Sequence, residues 1–92
     1  MTDIPTSKRP VETFLDGRVR VDQPQTGFRS GLDAVMLAAA VPAKAGQIAL
    51  ELGSGSGAAS LCLASRMPDL AVTGVEIDTS LAACANSNAA TN

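Results

Sequence analysis

The segment most diagnostic of the architecture is Glu51-Leu52-Gly53-Ser54-Gly55-Ser56-Gly57, in which three glycines occupy alternate positions. A short apolar run over residues 47–52 leads into the glycines, and a stretch rich in alanine and leucine over 58–67 follows them. The first run is typical of a strand buried on both faces in a parallel sheet, and the second favours a helix. Because glycine lacks a Cβ atom, the chain can turn sharply between them. The sequence therefore predicts a strand, a glycine turn and a helix.

A second strand and a further helix are predicted downstream. Pro68-Asp69 interrupts the helical residues, residues 71–75 form another apolar run, and a helix is expected from about Thr79 to the end. Right-handed crossovers make the two strands of such a unit parallel and adjacent. The predicted fold class is α/β, a partial Rossmann-like fold whose first βαβα unit spans 47–92. A doubly wound sheet normally has five or more strands, so the sequence is expected to be incomplete, or to be completed by a partner.

Upstream of the glycine turn, the sequence predicts a tail and then a small N-terminal region. Residues 1–10 contain Pro5 and Pro10 and are expected to form a disordered or extended tail. Residues 11–46 are predicted to form a β-hairpin followed by a helix. Asp16-Gly17 lies between two short apolar runs, and this dipeptide tolerates the positive φ angles of a tight hairpin turn.

The helix of this N-terminal region is predicted from a capping signal. Ser30 is followed three residues later by Asp33, a spacing at which both side chains can cap free backbone N–H groups. Residues 34–41 continue as a helix, and Pro42 and Gly46 end it.

The three glycines of the turn suggest a ligand site, and Glu51 indicates its charge. Gly53 is expected to turn the chain, Gly55 to let a ligand approach the backbone, and Gly57 to allow close helix packing. In a dinucleotide site the turn presents N–H groups to a pyrophosphate, an arrangement that gives no reason for a neighbouring carboxylate. Glu51 favours a ligand that carries positive charge. A nicotinamide dinucleotide and a flexible loop without a ligand remain alternatives.

A second acid stands at the end of the second predicted strand. Glu76 follows Gly53 by 23 residues, about where an acid accepts hydrogen bonds from both hydroxyls of a ribose. Asp78 is interpreted as the cap of the last helix. No metal site is expected, because too few oxygen ligands lie near this pair of acids.

Composition adds few functional constraints. The net charge of -2 neither favours nor excludes nucleic-acid binding, and the chain has no histidine and no Cys-x-x-Cys spacing for zinc. Cys62 and Cys84 are interpreted as small core residues. No signal peptide or stretch of about 20 apolar residues is present, so a cytoplasmic protein without a membrane partner is expected.

The motif over Glu51 to Gly57 resembles the first motif of class I S-adenosylmethionine-dependent methyltransferases, which reads acid-x-Gly-x-Gly-x-Gly. Residues 74–78 resemble the family's second strand end, whose acid holds the ribose. The resemblance implies a class I methyltransferase fold with S-adenosylmethionine as cofactor. The residues that it assigns to cofactor binding in this part of the chain are Glu51, Gly53, Ser54, Gly55, Gly57, Glu76 and Ile77.

Residues 23–39 resemble the N-terminal segment of small-domain methyltransferases of the tRNA adenine-N6 type. The resemblance implies that Arg29, Ser30 and Asp33 approach the methionine end of the cofactor, beside or instead of the capping role of Ser30 and Asp33. Asn88 and Asn92 resemble asparagines at the end of the family's second helix. The resemblance thus covers about residues 11–92, interpreted as the N-terminal half of the family's domain.

One part of the family pattern is missing. The group carries Asn-Pro-Pro-Tyr, or Phe in the last position, to align the target nitrogen, and these 92 residues contain no Asn-Pro-Pro. No catalytic residue is therefore assigned, and the chain alone is expected to be inactive. The intact protein is expected to methylate an exocyclic nitrogen, with adenine N6 in tRNA first and another RNA base or a protein glutamine as alternatives. A non-catalytic module that associates through an open sheet edge is a further alternative.

Overall fold

The structure, a computed structural model, describes residues 11–24 and 29–92, and over these residues the chain is of mixed α/β type. The predicted tail over residues 1–10 lies outside the described residues. No described helix has both the length and the apolar character needed to cross a membrane. The elements are β1 (Val11–Phe14), β2 (Val19–Asp22), α1 (Leu32–Ala40), β3 (Ile48–Leu52), α2 (Ala58–Arg66), β4 (Ala71–Val75) and α3 (Thr79–Thr91).

β1 and β2 form the predicted antiparallel hairpin. Phe14 pairs with Val19 at its closed end, and Arg18 N–H donates to the Leu15 carbonyl at 3.2 Å across the turn. Asp16 and Gly17 have φ angles of 56° and 84°. Positive φ at both central residues defines the hairpin turn that suits the twist of the strands, so the prediction from Asp-Gly is confirmed.

Of the two residues predicted to cap free N–H groups at the start of α1, Asp33 does so and Ser30 does not. The helix begins at Leu32, with Gly31 as N-cap and no side-chain cap. Asp33 does reach back, because its Oδ1 accepts from Gly31 N–H at 2.9 Å. Ser30 does not cap, because the N-cap position is held by Gly31. The N–H and C=O of Ser30 are both bonded to the side-chain amide of Gln23.

β3 and β4 form the predicted parallel pair, connected through α2. Their register runs from Ile48 opposite Ala71 to Leu52 opposite Val75. α3 then begins as expected from Asp78, whose Oδ1 accepts from Ser80 N–H at 2.9 Å and Leu81 N–H at 3.2 Å. The predicted order of strand, glycine turn, helix, strand and helix is confirmed.

The core lies around α2, which packs against α1, the hairpin and β4. It consists of small and medium side chains, because the chain offers 16 alanines and two aromatic residues. At the end of α1, Arg66 of α2 donates to the Ala38 and Val41 carbonyls at 3.0 and 2.7 Å, so it helps to satisfy the carbonyl groups there. The buried apolar residues are Phe14, Val19, Val21, Ala34, Ala38, Ala58, Cys62, Leu63 and Leu70.

The prediction that β3 is buried on both faces is wrong for the described residues. Ile48, Leu50 and Leu52 are 80, 62 and 76% exposed, whereas Ala49 and Glu51 on the other face are partly covered. Successive side chains of a strand point to opposite faces, so one face of the β3–β4 pair carries α2 and the other is bare. The apolar run predicted the strand correctly, but it did not predict which of its faces is buried.

Candidate functional site

The glycine turn has a backbone that residues with a Cβ atom rarely adopt. Gly53, Gly55 and Gly57 have φ angles of +71°, +58° and +93°. A Cβ added at Gly53 or Gly55 would meet nothing within 4 Å, so this side of the turn is open to a ligand. A Cβ at Gly57 would lie 3.6 Å from Ala85 Cβ, an ordinary contact. Its positive φ, and not the predicted close packing, is what requires glycine there.

The N–H groups of the turn are largely used inside the chain. Gly53 N–H donates to the Val75 carbonyl at 2.7 Å, which ties the turn to the end of β4. Gly55 N–H donates to Glu76 Oε1 at 2.8 Å. Four amides of the turn have such internal acceptors, namely those of Gly53, Ser54, Gly55 and Gly57. The turn is therefore better suited to a ligand that packs on it than to an anion that needs its N–H groups.

Glu76 is held at the mouth of the turn by two backbone donors. Besides Gly55, Asp78 N–H donates to Glu76 Oε2 at 2.9 Å. Hydrogen bonds from Asp78 N–H and then Gly55 N–H hold the pKa of this carboxyl below its usual range. Glu76 is thus an ionised acceptor in a fixed position, and a carboxylate retains lone pairs for further donors. The next residue, Ile77, is 96% exposed.

Glu51 lies on the same face of the sheet but is held by α2. Its Oε1 accepts from Ser60 Oγ at 2.5 Å. Between Glu51 and Glu76, Ser54 packs on Gly74, where an added Cβ would come within 2.7 Å of Ser54 Cβ and Oγ. The first residues of the turn therefore separate the two carboxylates, although both end adjacent parallel strands.

Two cavities flank this arrangement, and the two acids do not share one. A cavity of about 890 Å³ between α2, β4 and α3 is lined by Glu76, Ser54 and Gly57. A smaller one of about 240 Å³ beside the outer edge of β3 is lined by Glu51. Ser60 lines both. In the described residues the expected pair of acids therefore flanks the turn from two sides, and does not face into a single cavity.

The three predicted site residues at the start of α1 lie on a different part of the molecule from these acids. The Arg29 guanidinium donates to the Pro24 carbonyl and forms an ion pair with Glu12 of β1. Ser30 is tied to Gln23, and Asp33 lies exposed in the first turn of α1. The structure joins Arg29 and Ser30 to the hairpin, and Gln23, which holds Ser30, also accepts a hydrogen bond from Ser56 of the glycine turn.

Residues that link the hairpin to the turn were missed by sequence reasoning or noticed only by resemblance. Gln23, Ser56 and Asn88 are 5, 4 and 3% exposed, unusually low values for polar side chains. Asn88 Nδ2 donates to the Ser56 carbonyl at 2.9 Å. One signal was available: asparagine is a poor helix former, yet it recurs four residues apart at Asn88 and Asn92.

The cysteines and acids suggest no further chemistry. Burial raises the pKa of the Cys62 thiol, which keeps it protonated in the core. Cys84 is half-buried and its Sγ donates to the Asp22 carbonyl at 2.9 Å. Within residues 11–24 and 29–92, no three His, Cys, Asp or Glu side chains are grouped to hold a metal ion.

Comparison with known proteins gives a consistent set of relatives. The chain is 41% identical over 85 residues to a tRNA1(Val) (adenine(37)-N6)-methyltransferase of Porphyromonas gingivalis, a match that covers 88% of this chain and 33% of the relative. A protein of the same name from Aeromonas hydrophila is 37% identical over 78 residues, covering 84% of this chain and 33% of the relative. The resemblance to tRNA adenine-N6 methyltransferases is confirmed.

The matches cover only part of the length of these methyltransferases. The chain spans about a third of the length of the curated relatives, a smaller share than the half that the motifs indicated. A second Porphyromonas gingivalis strain has a methyltransferase of the same name at 40% identity over 85 residues. No family model matches the chain.

Proposed function

We propose that this chain is the S-adenosylmethionine-binding portion of a methyltransferase that acts on an exocyclic nitrogen, adenine N6 in tRNA. The observation that carries the proposal is the glycine turn at the end of β3, flanked by Glu51 and Glu76 at the ends of adjacent parallel strands. The similarity to tRNA adenine-N6 methyltransferases over most of the chain supports the same substrate class. The intact protein is accordingly proposed to be an enzyme of class EC 2.1.1.

We further propose a class I, Rossmann-like methyltransferase domain whose first part is present here. Residues 47–92 would be its first βαβα unit, and residues 11–46 would cover the cofactor site from the hairpin side. This assignment of the two parts is supported by the packing of the hairpin on α2 and by the hydrogen bond from Asn88 to Ser56.

The described residues fit this cofactor. Gly53 and Gly55 leave open space where side chains would stand, and Glu76 offers an ionised carboxylate to the two ribose hydroxyl donors. Glu51, with its orientation fixed by Ser60, places a second negative charge beside the turn, where a cationic ligand is favoured. Ser54, Gly57 and Ile77 complete the proposed contacts, together with Arg29, Ser30 and Asp33 on the hairpin side. When bound, the cofactor supplies an electrophilic methyl group on a sulfonium.

The same geometry argues against the nicotinamide dinucleotide alternative. A pyrophosphate needs free N–H groups at the turn, and the amides of Gly53 and Gly55 already have acceptors in the chain. A cofactor without phosphate does not need these N–H groups.

Titration of the purified chain with S-adenosylmethionine and with NAD in separate calorimetric experiments tests the cofactor. We expect heat of binding with the first ligand only, and weaker binding by Glu76→Gln, which loses a charged acceptor. The matched control is Asp69→Asn, which removes a carboxylate before β4, at the opposite end of the same strand. Preference for NAD, or equal binding by both variants and the unmodified chain, would contradict the proposal.

The transfer itself is assigned to residues other than these. Because the 92 residues contain no Asn-Pro-Pro, none of them is proposed to hold the target nitrogen. We expect no transfer of a labelled methyl group from S-adenosylmethionine to unmodified tRNA by this chain alone. The control is a methyltransferase that contains the Asn-Pro-Pro-Tyr motif, assayed on the same tRNA. Turnover by the chain alone would overturn the assignment.

The outer edge of β3 is proposed to pair with a further strand of the domain and its bare face to pack on further elements of the domain, or both on a second copy when the chain is alone. The apolar side chains that support this are Ile48, Leu50, Leu52 and Val75, which are 80, 62, 76 and 49% exposed. Sedimentation of the chain alone is expected to show self-association, and Leu50→Lys should reduce it. A monomer at all concentrations would contradict this part of the proposal.

A further inference from the structure

Two asparagines of α3 complete the outer edge of the hairpin. Asn88 Oδ1 accepts from Asp22 N–H at 2.9 Å and its Nδ2 donates to the Asp22 carbonyl at 3.0 Å. Asn92 makes the same pair with Arg20, at 2.9 and 2.7 Å. Four helical residues rise about 6 Å and two strand residues about 6.6 Å, so the helix matches alternate residues of β2. Each side-chain amide stands where the peptide group of a neighbouring strand would be.

Gln23 makes the same double pairing, but with the segment that precedes α1. Its Oε1 accepts from Ser30 N–H at 2.6 Å, and its Nε2 donates to the Ser30 carbonyl at 3.0 Å. The same Nε2 donates to Glu12 Oε2 at 2.9 Å. Unlike the amide of Asn92, this amide also touches the glycine turn, because Ser56 Oγ donates to Gln23 Oε1 at 3.4 Å.

Both backbone polar groups of Ser30 are held by this amide. α1 has no side-chain cap, and Ser30 itself does not cap it. Arg29 is tied to Glu12, which Gln23 also contacts. The buried amide of Gln23 is therefore the point at which β1, the start of α1 and the glycine turn meet.

We propose that Gln23 is a positioning residue for the cofactor site. Through Ser56 and Ser30, it sets the spacing between the glycine turn and the segment over residues 29–33. This inference rests on the proposed function, in which that segment approaches one end of the ligand and the turn holds the other. A ligand that spans the two would bind weakly to a chain in which they move independently.

Asn92 provides a matched control, because it makes the same double pairing without contacting the turn. Gln23→Met removes the amide and keeps a side chain of similar length. Gln23→Glu keeps the acceptor for Ser30 N–H but cannot donate to the Ser30 carbonyl, and places a negative charge beside Glu12. Asn92→Leu removes the amide from Arg20. Urea unfolding of each variant establishes that it is folded under the conditions of the binding experiment.

The measurements are the dissociation constant for S-adenosylmethionine and the hydrogen-exchange rate of the Ser30 and Arg20 amides. We expect Gln23→Met and Gln23→Glu to accelerate exchange at Ser30 and to weaken binding by about tenfold, equivalent to about 1.4 kcal/mol. Asn92→Leu should accelerate exchange at Arg20 and weaken binding by less than either Gln23 variant, although Asn92 lines the cavity that also contains Glu76. If only one Gln23 variant folds, that variant decides the outcome.

Failure of the inference and failure of the proposed function give different results. If the unmodified chain binds S-adenosylmethionine and a folded Gln23 variant binds it equally strongly, the inference alone is overturned. Absence of binding by the unmodified chain overturns the proposed function. In that case the NMR chemical shift of the Ser56 amide still decides whether Gln23 positions the turn. A chemical shift that changes in the Gln23 variant but not in Asn92→Leu supports the inference. Unchanged chemical shifts in both variants overturn it.

Discussion

The hairpin strands are less apolar than β3, yet they are much more deeply buried. Val19 and Val21 of β2 are almost inaccessible, whereas Ile48, Leu50 and Leu52 of β3 are mostly exposed. The hairpin packs on α2, and asparagine side chains of α3 cover its outer edge. The β3–β4 pair carries α2 on one face and nothing in the described residues on the other. Apolar character makes a strand, but only its neighbours determine whether the strand is buried.

The glycine turn lies at the border between these two regions. Its Ser56 end is fixed to the hairpin side through Asn88 and Gln23. Its Gly53 end is fixed to β4, in the uncovered region, through the Val75 carbonyl. One wall of the proposed site is therefore complete in this chain, and the other depends on what covers β3.

The largest expected difference between the two regions is in stability. Leu63→Ala removes a buried side chain of α2 and is expected to lower the free energy of unfolding by about 2–5 kcal/mol. Leu50→Ala removes a side chain of the same size from the bare face and should change it by less than about 0.5 kcal/mol. Urea unfolding under dilute conditions measures both. Similar losses would mean that β3 is covered in solution, and would contradict the contrast between the two regions.

A smaller effect is expected where the turn meets β4. Gly74→Ala places a Cβ within 2.7 Å of Ser54, so the turn must shift or the chain must lose about 1–3 kcal/mol. Gly31→Ala is the control, because its Cβ would meet only Asp33 Oδ1, at 3.7 Å. The urea midpoint measures the loss of stability, and the NMR chemical shift of the Ser54 amide measures the movement of the turn. An unchanged midpoint and unchanged Ser54 shift in Gly74→Ala would show that the close approach is absent in solution.

Local signals in the sequence predicted most of the elements. Asp16-Gly17 predicted the hairpin turn, and Asp78 predicted the cap of α3, because each requirement is met within three or four residues. The glycine turn between β3 and α2 was equally visible, since its positive φ angles are intrinsic to glycine. These features need no knowledge of distant residues.

Features that depend on distant residues were not predicted. The need for glycine at position 74 arises from Ser54, 20 residues away, on a different element. The hydrogen bonds between Gln23 and Ser30 were not predicted either. They form only in the folded chain, in which the Gln23 amide is buried against the glycine turn. The exposed face of β3 was missed because a run of apolar residues has the same pattern with and without a covering layer.

The smallest effect is expected in the pH dependence of stability, at the turn itself. The pKa of Glu76 is lowered in the folded chain by the N–H groups of Asp78 and Gly55. A lowered folded pKa stabilises the chain above the ordinary glutamate pKa of about 4.3, and this stabilisation is lost as the pH falls through the lower folded value. Glu76 is only partly buried, so solvent screening keeps the effect small. Glu76→Gln should therefore lower Tm more at pH 7 than at pH 3. Parallel pH profiles for the unmodified chain and Glu76→Gln would show that the two N–H groups do not hold this carboxylate.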